Sequence, residues 1–148
     1  MGKTGRGTPE YCNVPINKID AYCATMAKGL SGGGGGYIVG SNGLVTWLKQ
    51  RSRTYIFSNA LCPPIVNCAR LSVKLLKESS ERLEKRDANA ALFRKLMRAN
   101  GFKIIGNDDC PICCVWLVSE VKGRELELKL LERGIYTIMI GFPVCAIG

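Results

Sequence analysis

The sequence predicts an α/β fold, on three observations. Short runs of β-branched and aromatic residues alternate with stretches whose apolar positions recur at helical spacing, Pro63-Pro64 opens the longest of those stretches, and Gly101 and Gly134 stand where two of them should stop. Taken in order, residues 2–8 read as loop, 17–23 as a short strand and 37–40 as a second strand. Residues 42–51 read as an amphipathic helix with Leu44, Trp47 and Leu48 turned inward, and 54–58 as another strand. From Pro63 onward, Ile65, Val66, Ala69, Val73 and Leu76, followed by Leu83, Ala90, Leu92, Phe93, Leu96 and Met97, predict one long helix that ends at Asn100-Gly101. Strands at 102–105 and 112–118, a helix over 122–133 and a last strand at 135–140 complete a second half in which one sheet is covered on one face by the long helices.

Composition bounds the class. A chain of 148 residues is one domain's worth and can bury ~70% of its unfolded surface, and 47% hydrophobic with 22% charged residues marks an ordinary globular protein. The net charge of +9 comes from 21 Lys and Arg against 12 Asp and Glu. Its densest stretch, 74–98, interleaves Glu78, Glu81, Glu84 and Asp87 with the bases, the pattern of a solvated helix face with i,i+4 pairs. With no zinc finger or RNP-like motif alongside, no nucleic-acid partner is expected.

Eight cysteines include the run Cys110-Pro111-Ile112-Cys113-Cys114, but no second CxxC follows and the chain has no histidine, so no metal site is expected. Cys12, Cys23, Cys62, Cys68 and Cys145 are mostly flanked by apolar residues and read as buried, reduced thiols of a reducing compartment. The stretch 1–8 lacks the apolar core of a secretory signal, and the uncharged tail at 135–148 is too short to cross a bilayer; no membrane partner is expected.

The chemistry-bearing feature is Lys28, set among Ala24-Thr25-Met26-Ala27 and Gly29-Leu30-Ser31 and followed by five glycines, Gly32 to Gly36. A lysine in a turn of small residues offers its amine to an aldehyde cofactor with nothing bulky in the way. The glycine run itself reads two ways, as a flexible linker or as backbone that approaches a cofactor or a neighbouring element closely. Gly2-Lys3-Thr4 matches the end of a phosphate-binding P-loop, but the glycine five residues before the lysine and the preceding strand are missing.

Segment 24–37 resembles the cofactor-lysine motif of the α-oxoamine synthases, a family of class II pyridoxal-phosphate-dependent enzymes of the aminotransferase type. The motif usually runs Gly-Thr-Leu-Gly-Lys-Ala-Leu-Gly-Gly-Ala-Ser-Gly-Gly-Tyr, and Thr25, Lys28, Leu30, Gly32, Gly35, Gly36 and Tyr37 match it without a gap. Gly5-Arg6-Gly7-Thr8 with Glu10-Tyr11-Cys12, the stretch Trp47-Leu48-Lys49-Gln50-Arg51-Ser52-Arg53, and Tyr55-Ile56-Phe57-Ser58-Asn59-Ala60-Leu61 are similar to segments of the family branch that joins glycine to acetyl-CoA. Pro111-Ile112-Cys113 and Arg133-Gly134-Ile135-Tyr136 with Phe142-Pro143-Val144 extend the likeness to the end of the chain. The chain departs from the pattern at Ala27, Gly29, Ser31 and Thr54, all small exchanges.

The resemblance implies part of a pyridoxal-phosphate-dependent transferase of fold type I. Residues 1–62 would close the large cofactor domain, and 63–148 would form a linking helix and most of the small α/β domain. It implies that Lys28 carries pyridoxal 5'-phosphate covalently and then acts as base toward the glycine α-proton, with Thr25 bonding the cofactor phosphate. Ser58 and Asn59 would contact that phosphate from the opposite subunit of a homodimer. The implied reaction condenses glycine with acetyl-CoA to 2-amino-3-oxobutyrate and CoA, in the cytoplasm of a bacterium or the mitochondrion of a eukaryote. The family's aspartate partner of the pyridine nitrogen, its stacking histidine and its substrate-binding arginine have no counterpart here, so the chain reads as a central-to-C-terminal fragment expected to be inactive or nearly so alone. Two alternatives remain open beside this reading, a non-catalytic dimerisation partner of a full-length enzyme and a basic RNA-associated α/β module.

Overall fold

Residues 2–30 and 33–145 are described by the computed structural model of the protein, in two units, Met1–Lys85 and Arg86–Gly148. In the first unit a short helix α1 (Thr8–Tyr11) is followed by a single 3-10 turn, Ile16–Lys18, and by strands β1 (Ala21–Thr25) and β2 (Gly36–Gly40). The strand expected at 17–23 begins only at Ala21, because Lys18 and Ile19 donate their N–H groups back to the carbonyls of Pro15 and Ile16 and close a turn first. β1 and β2 pair antiparallel, from Ala21 opposite Gly40 to Thr25 opposite Gly36. Ahead of them, the Glu10 carboxylate accepts the N–H groups of Thr4 and Arg6, both at 2.9 Å, and folds the glycine-rich start of the chain onto α1. The bond from the Thr4 backbone, more than any other contact, holds this carboxyl below its usual range.

Helix α2 (Asn42–Arg51) starts where Ser41 Oγ accepts the N–H of Leu44 at 3.2 Å, an N-cap of the usual kind. Leu44 lies over Gly40, where a Cβ would stand 2.7 Å from Leu44 Cδ2, and Leu44, Val45 and Leu48 are half-buried. Trp47, expected inward, is 60% exposed. At 100° per residue it lies roughly 100° around the helix from the centre of that stripe, so docking through Leu44 turns it out.

The strand expected at 54–58 is instead a helical turn, α3 (Arg53–Ile56). The Ser52 carbonyl accepts from both Tyr55 and Ile56, and Phe57 N–H closes on Arg53, so local bonds override the strand preference of Thr54, Tyr55 and Ile56. The single long helix is two, α4 (Pro63–Glu78) and α5 (Glu81–Ala99). Ser79 is extended at φ −152 and ψ 136, its hydroxyl accepts the N–H of Glu81, and Ser80 starts the new helix by accepting from Leu83 and Glu84 and bonding Glu84 Oε1 at 2.5 Å.

In the second unit α5 is followed by β3 (Lys103–Ile105), β4 (Cys114–Trp116) and α6 (Glu120–Glu132). α5 and α6 stop as expected, at Gly101 (φ 80) and Gly134 (φ 76). Phe102 N–H reaches Met97 O and Ile135 N–H reaches Leu130 O, so both glycines sit in the left-handed position of a Schellman closure. No single sheet spans this half among the described residues. β3 and β4 form a two-stranded antiparallel pair, from Lys103 opposite Trp116 to Ile105 opposite Cys114. The strand expected over 112–118 is therefore three residues long, and the one at 135–140 is absent. There Met139 and Phe142 give their N–H groups to Glu127 and Glu120 of α6, at 3.2 and 2.7 Å, rather than to another strand.

Charge and thiols also differ from expectation. Lys74 pairs with Glu78 on the solvated face as predicted, but Arg94 of the same basic stretch is 4% exposed and, with Leu83 at 6%, is among the few buried side chains. One Arg94 nitrogen, Nη2, donates to the carbonyls of Asn107 and Ile112, at 3.2 and 3.0 Å, and to that of Cys110. The cysteines are unpaired but not buried: Cys110 and Cys113 are half-buried and the other six exposed. Among the described residues no helix is long and apolar enough to cross a membrane, and no cluster of His, Cys, Asp and Glu could hold a metal ion.

Beside Arg94, Asp108 takes two parallel bonds from Arg98, at 2.9 and 2.7 Å, and these hold its carboxyl below the ordinary value of 3.8. A lowered folded-state pKa means stability that is present above the ordinary value and lost as pH falls through the lowered one. The gap in urea midpoint between the wild-type chain and Asp108→Asn, followed by circular dichroism, should therefore be widest near neutrality and narrow below pH 3.8. A gap constant with pH would contradict this pairing.

Candidate functional site

Lys28 lies in the connection from β1 to β2, one turn beyond the last strand pair, Thr25 opposite Gly36. Its side chain is exposed and makes no hydrogen bond or ion pair among the described residues. Three bonds fix the start of the turn that carries it. Met26 N–H donates to Gly35 O at 3.0 Å, the Thr25 hydroxyl donates to the same carbonyl at 3.3 Å, and Ala27 N–H donates to Thr25 Oγ1 at 3.2 Å. Thr25 and Lys28 are thus brought together on one turn, and small residues leave the amine unobstructed.

Of the described glycines in the tract, Gly33 stands in open space at φ +76, whereas Gly34, Gly35 and Gly36 are packed. Ser31 and Gly32, which belong to the tract and to the matched motif, lie outside the described residues. Gly35 takes φ +83, and a Cβ there would stand 2.6 Å from Leu61 Cδ1; one on Gly36 would stand 3.0 Å from the Ala24 carbonyl. Gly34 lies against Ile65 at the start of α4. Close backbone approach, not a free linker, is what Gly34 to Gly36 provide.

Ser58 and Asn59 lie in the link from α3 to α4, two or three residues before Leu61, which covers Gly35. Both are exposed, and neither joins Thr25 or Lys28 by a hydrogen bond among the described residues. The first pair of candidates is assembled within the chain and the second is not. The double acceptance by Gly35 O is a feature that residue types alone could not announce, because it depends on hairpin register. Arg94 left one trace: its helix neighbours at i±3 and i±4 are Ala90, Ala91, Met97 and Arg98, none of them acidic, so its charge had to be met elsewhere.

An exposed amine without a partner among the described residues, and a hydroxyl three residues before it that is bonded into the hairpin, form a turn suited to a covalently held aldehyde cofactor. The family model for aminotransferase class I and II matches residues 7–147, and the chain belongs to that family. It is 38% identical over 148 residues to the mouse mitochondrial 2-amino-3-ketobutyrate coenzyme A ligase and 37% identical to the enzyme of that name from Escherichia coli K12, covering all of this chain but 35% and 37% of those proteins. An 8-amino-7-oxononanoate synthase from Treponema denticola is 34% identical, with 37% of its length covered. The chain spans about a third of the length of these curated relatives.

Among solved structures, 8-amino-7-oxononanoate synthase from Francisella tularensis matches at a TM-score of 0.85 with 24% identity, over 97% of this chain and 42% of the other. Serine palmitoyltransferase from S. paucimobilis, solved with bound PLP, matches at 0.86 with 26% identity, over 94% of this chain and 36% of the other. The mixed α/β architecture expected from the resemblance is therefore the one found, as a part of the fold those enzymes share.

Proposed function

We propose that this chain is the cofactor-lysine portion of a pyridoxal-phosphate-dependent acyltransferase that condenses glycine with acetyl-CoA to 2-amino-3-oxobutyrate and CoA. The observation that carries the reading is Lys28: an exposed amine, unpaired among the described residues, on a turn of small residues, in a chain 37–38% identical throughout to 2-amino-3-ketobutyrate coenzyme A ligases. When bound, pyridoxal phosphate supplies an aldehyde for an amine and a conjugated ring that takes up the electron pair of a deprotonated amino-acid α-carbon. The residues present fit such a group, with Lys28 Nζ as the point of attachment and Thr25 Oγ1 as a donor to its phosphate.

Lys28 has two tasks. Its Nζ would hold the cofactor in place and, when not so engaged, would take the glycine α-proton and return a proton to the product side. Thr25 Oγ1 orients the phosphate end. Ser58 Oγ and Asn59 Nδ2 are assigned to the phosphate of the other subunit in a homodimer, a role supported by their exposure and by the family resemblance of the stretch that holds them. Residues 1–62 then close the cofactor domain, and 63–148 supply the linking helix and part of the small domain.

The test is direct. Purified chain is mixed with pyridoxal phosphate, its absorbance spectrum recorded, the mixture reduced with borohydride and the labelled lysine mapped by mass spectrometry. Label on Lys28 well above every other lysine supports the assignment; uniform labelling, or none on Lys28, sinks it.

A further inference from the structure

We infer that Thr25 has a second role, as a positioning residue for the Lys28 turn, and that the Gly35 carbonyl and a phosphate compete for its one hydroxyl proton. The inference rests on the reading of Lys28 and Thr25 given above. A threonine hydroxyl has a single proton and two lone pairs. One lone pair takes Ala27 N–H at 3.2 Å, and the proton goes to Gly35 O at 3.3 Å. The same carbonyl also accepts Met26 N–H at 3.0 Å. Residues 25 to 27 are therefore clasped to the opposite strand through one carbonyl, just beyond the last strand pair, and Lys28 is the next residue out. The aim of that carbonyl is set by Gly35 at φ +83 under Leu61.

Phosphate at neutral pH is chiefly an acceptor, so a phosphate bonded by Thr25 must take the hydrogen bond that Gly35 O now accepts from its hydroxyl. Rotation about Cβ–Oγ1 suffices for the transfer. Ala27 keeps its bond to the oxygen, Gly35 keeps the one from Met26, and the clasp is reduced by one strand-to-strand link. The turn is held firmly when no phosphate is present, and loosened when one arrives, as a lysine that must later move would require.

Two variants and two readouts test this. In the cofactor-free chain, amide exchange at Met26 and Ala27 should quicken by about threefold to tenfold in Thr25→Val, the effect of losing neutral hydrogen bonds, and stay near wild type in Thr25→Ser. Borohydride-trapped labelling of Lys28 should favour pyridoxal phosphate over pyridoxal in the wild-type chain and in Thr25→Ser, with the preference falling toward unity in Thr25→Val. Unchanged exchange in Thr25→Val overturns the clasp, and an unchanged preference overturns the competition. Faster exchange together with no Lys28 label in any chain would remove the cofactor reading and the competition while leaving the clasp in place.

Discussion

Replacing Lys28 with alanine is expected to abolish the site-specific label left by pyridoxal phosphate and borohydride, with only the background of other surface lysines remaining. Lys28 is exposed and without partners among the described residues, so the substitution removes the amine without disturbing packing, and its cost in stability should fall within about 0.5 kcal/mol. Lys28→Arg should fail equally, because a guanidinium keeps the charge but does not give up a proton to become a nucleophile. In an assembled enzyme the loss of this acid–base group should lower turnover of glycine and acetyl-CoA by about 10²–10⁴-fold. A Lys28→Arg chain that labels like wild type would mean that the reactive amine lies elsewhere.

The largest stability effect is expected at Arg94. Truncation to Met keeps much of the volume but leaves the carbonyls of Asn107, Cys110 and Ile112 without the Nη2 that serves all three. Partly buried acceptors stripped of a charged donor cost roughly 2–4 kcal/mol together, a large share of the 5–15 kcal/mol by which a domain is typically stable. Arg94→Lys should recover only part of this, since its ammonium carries three donors but ends one atom short of the Nη2 position. Urea unfolding followed at Trp116 in a Trp47→Phe background reads the second unit, and an Arg94→Met midpoint equal to wild type would contradict the assignment.

What could be read from the residues follows a physical division. Helix α2 and the ends of α5 and α6 were legible because their signals are local: apolar positions at helical spacing within one short segment, and glycines where φ must turn positive. Lys28 was singled out for a similarly local reason, as a lysine among small residues on one turn, whereas Thr25 entered only through the family resemblance. The break between α4 and α5 was hidden because Leu76 and Leu83 stand seven residues apart and keep the helical phase across Ser79-Ser80. The acids that follow those serines were the available sign of a restart. The stretch at 135–140 was misread because a strand is defined by its partner, which its own residues do not reveal. Arg94 was taken for part of a solvated face because the acids that answer the basic residues around it are interleaved in the sequence, whereas its own acceptors lie 13 to 18 residues away.

The two carboxylates of α6 that hold the stretch after Gly134 bear on how the chain behaves in company. Ile135, Tyr136, Ile138 and Ile140 are all exposed, and such a run with free amides is the kind of edge on which other chains assemble. Glu127 and Glu120 occupy the amides of Met139 and Phe142, and so interrupt the ladder that a foreign strand would need. Glu127 thus removes one amide of the run, and Glu120 one just beyond it, from the edge that a foreign strand would pair with.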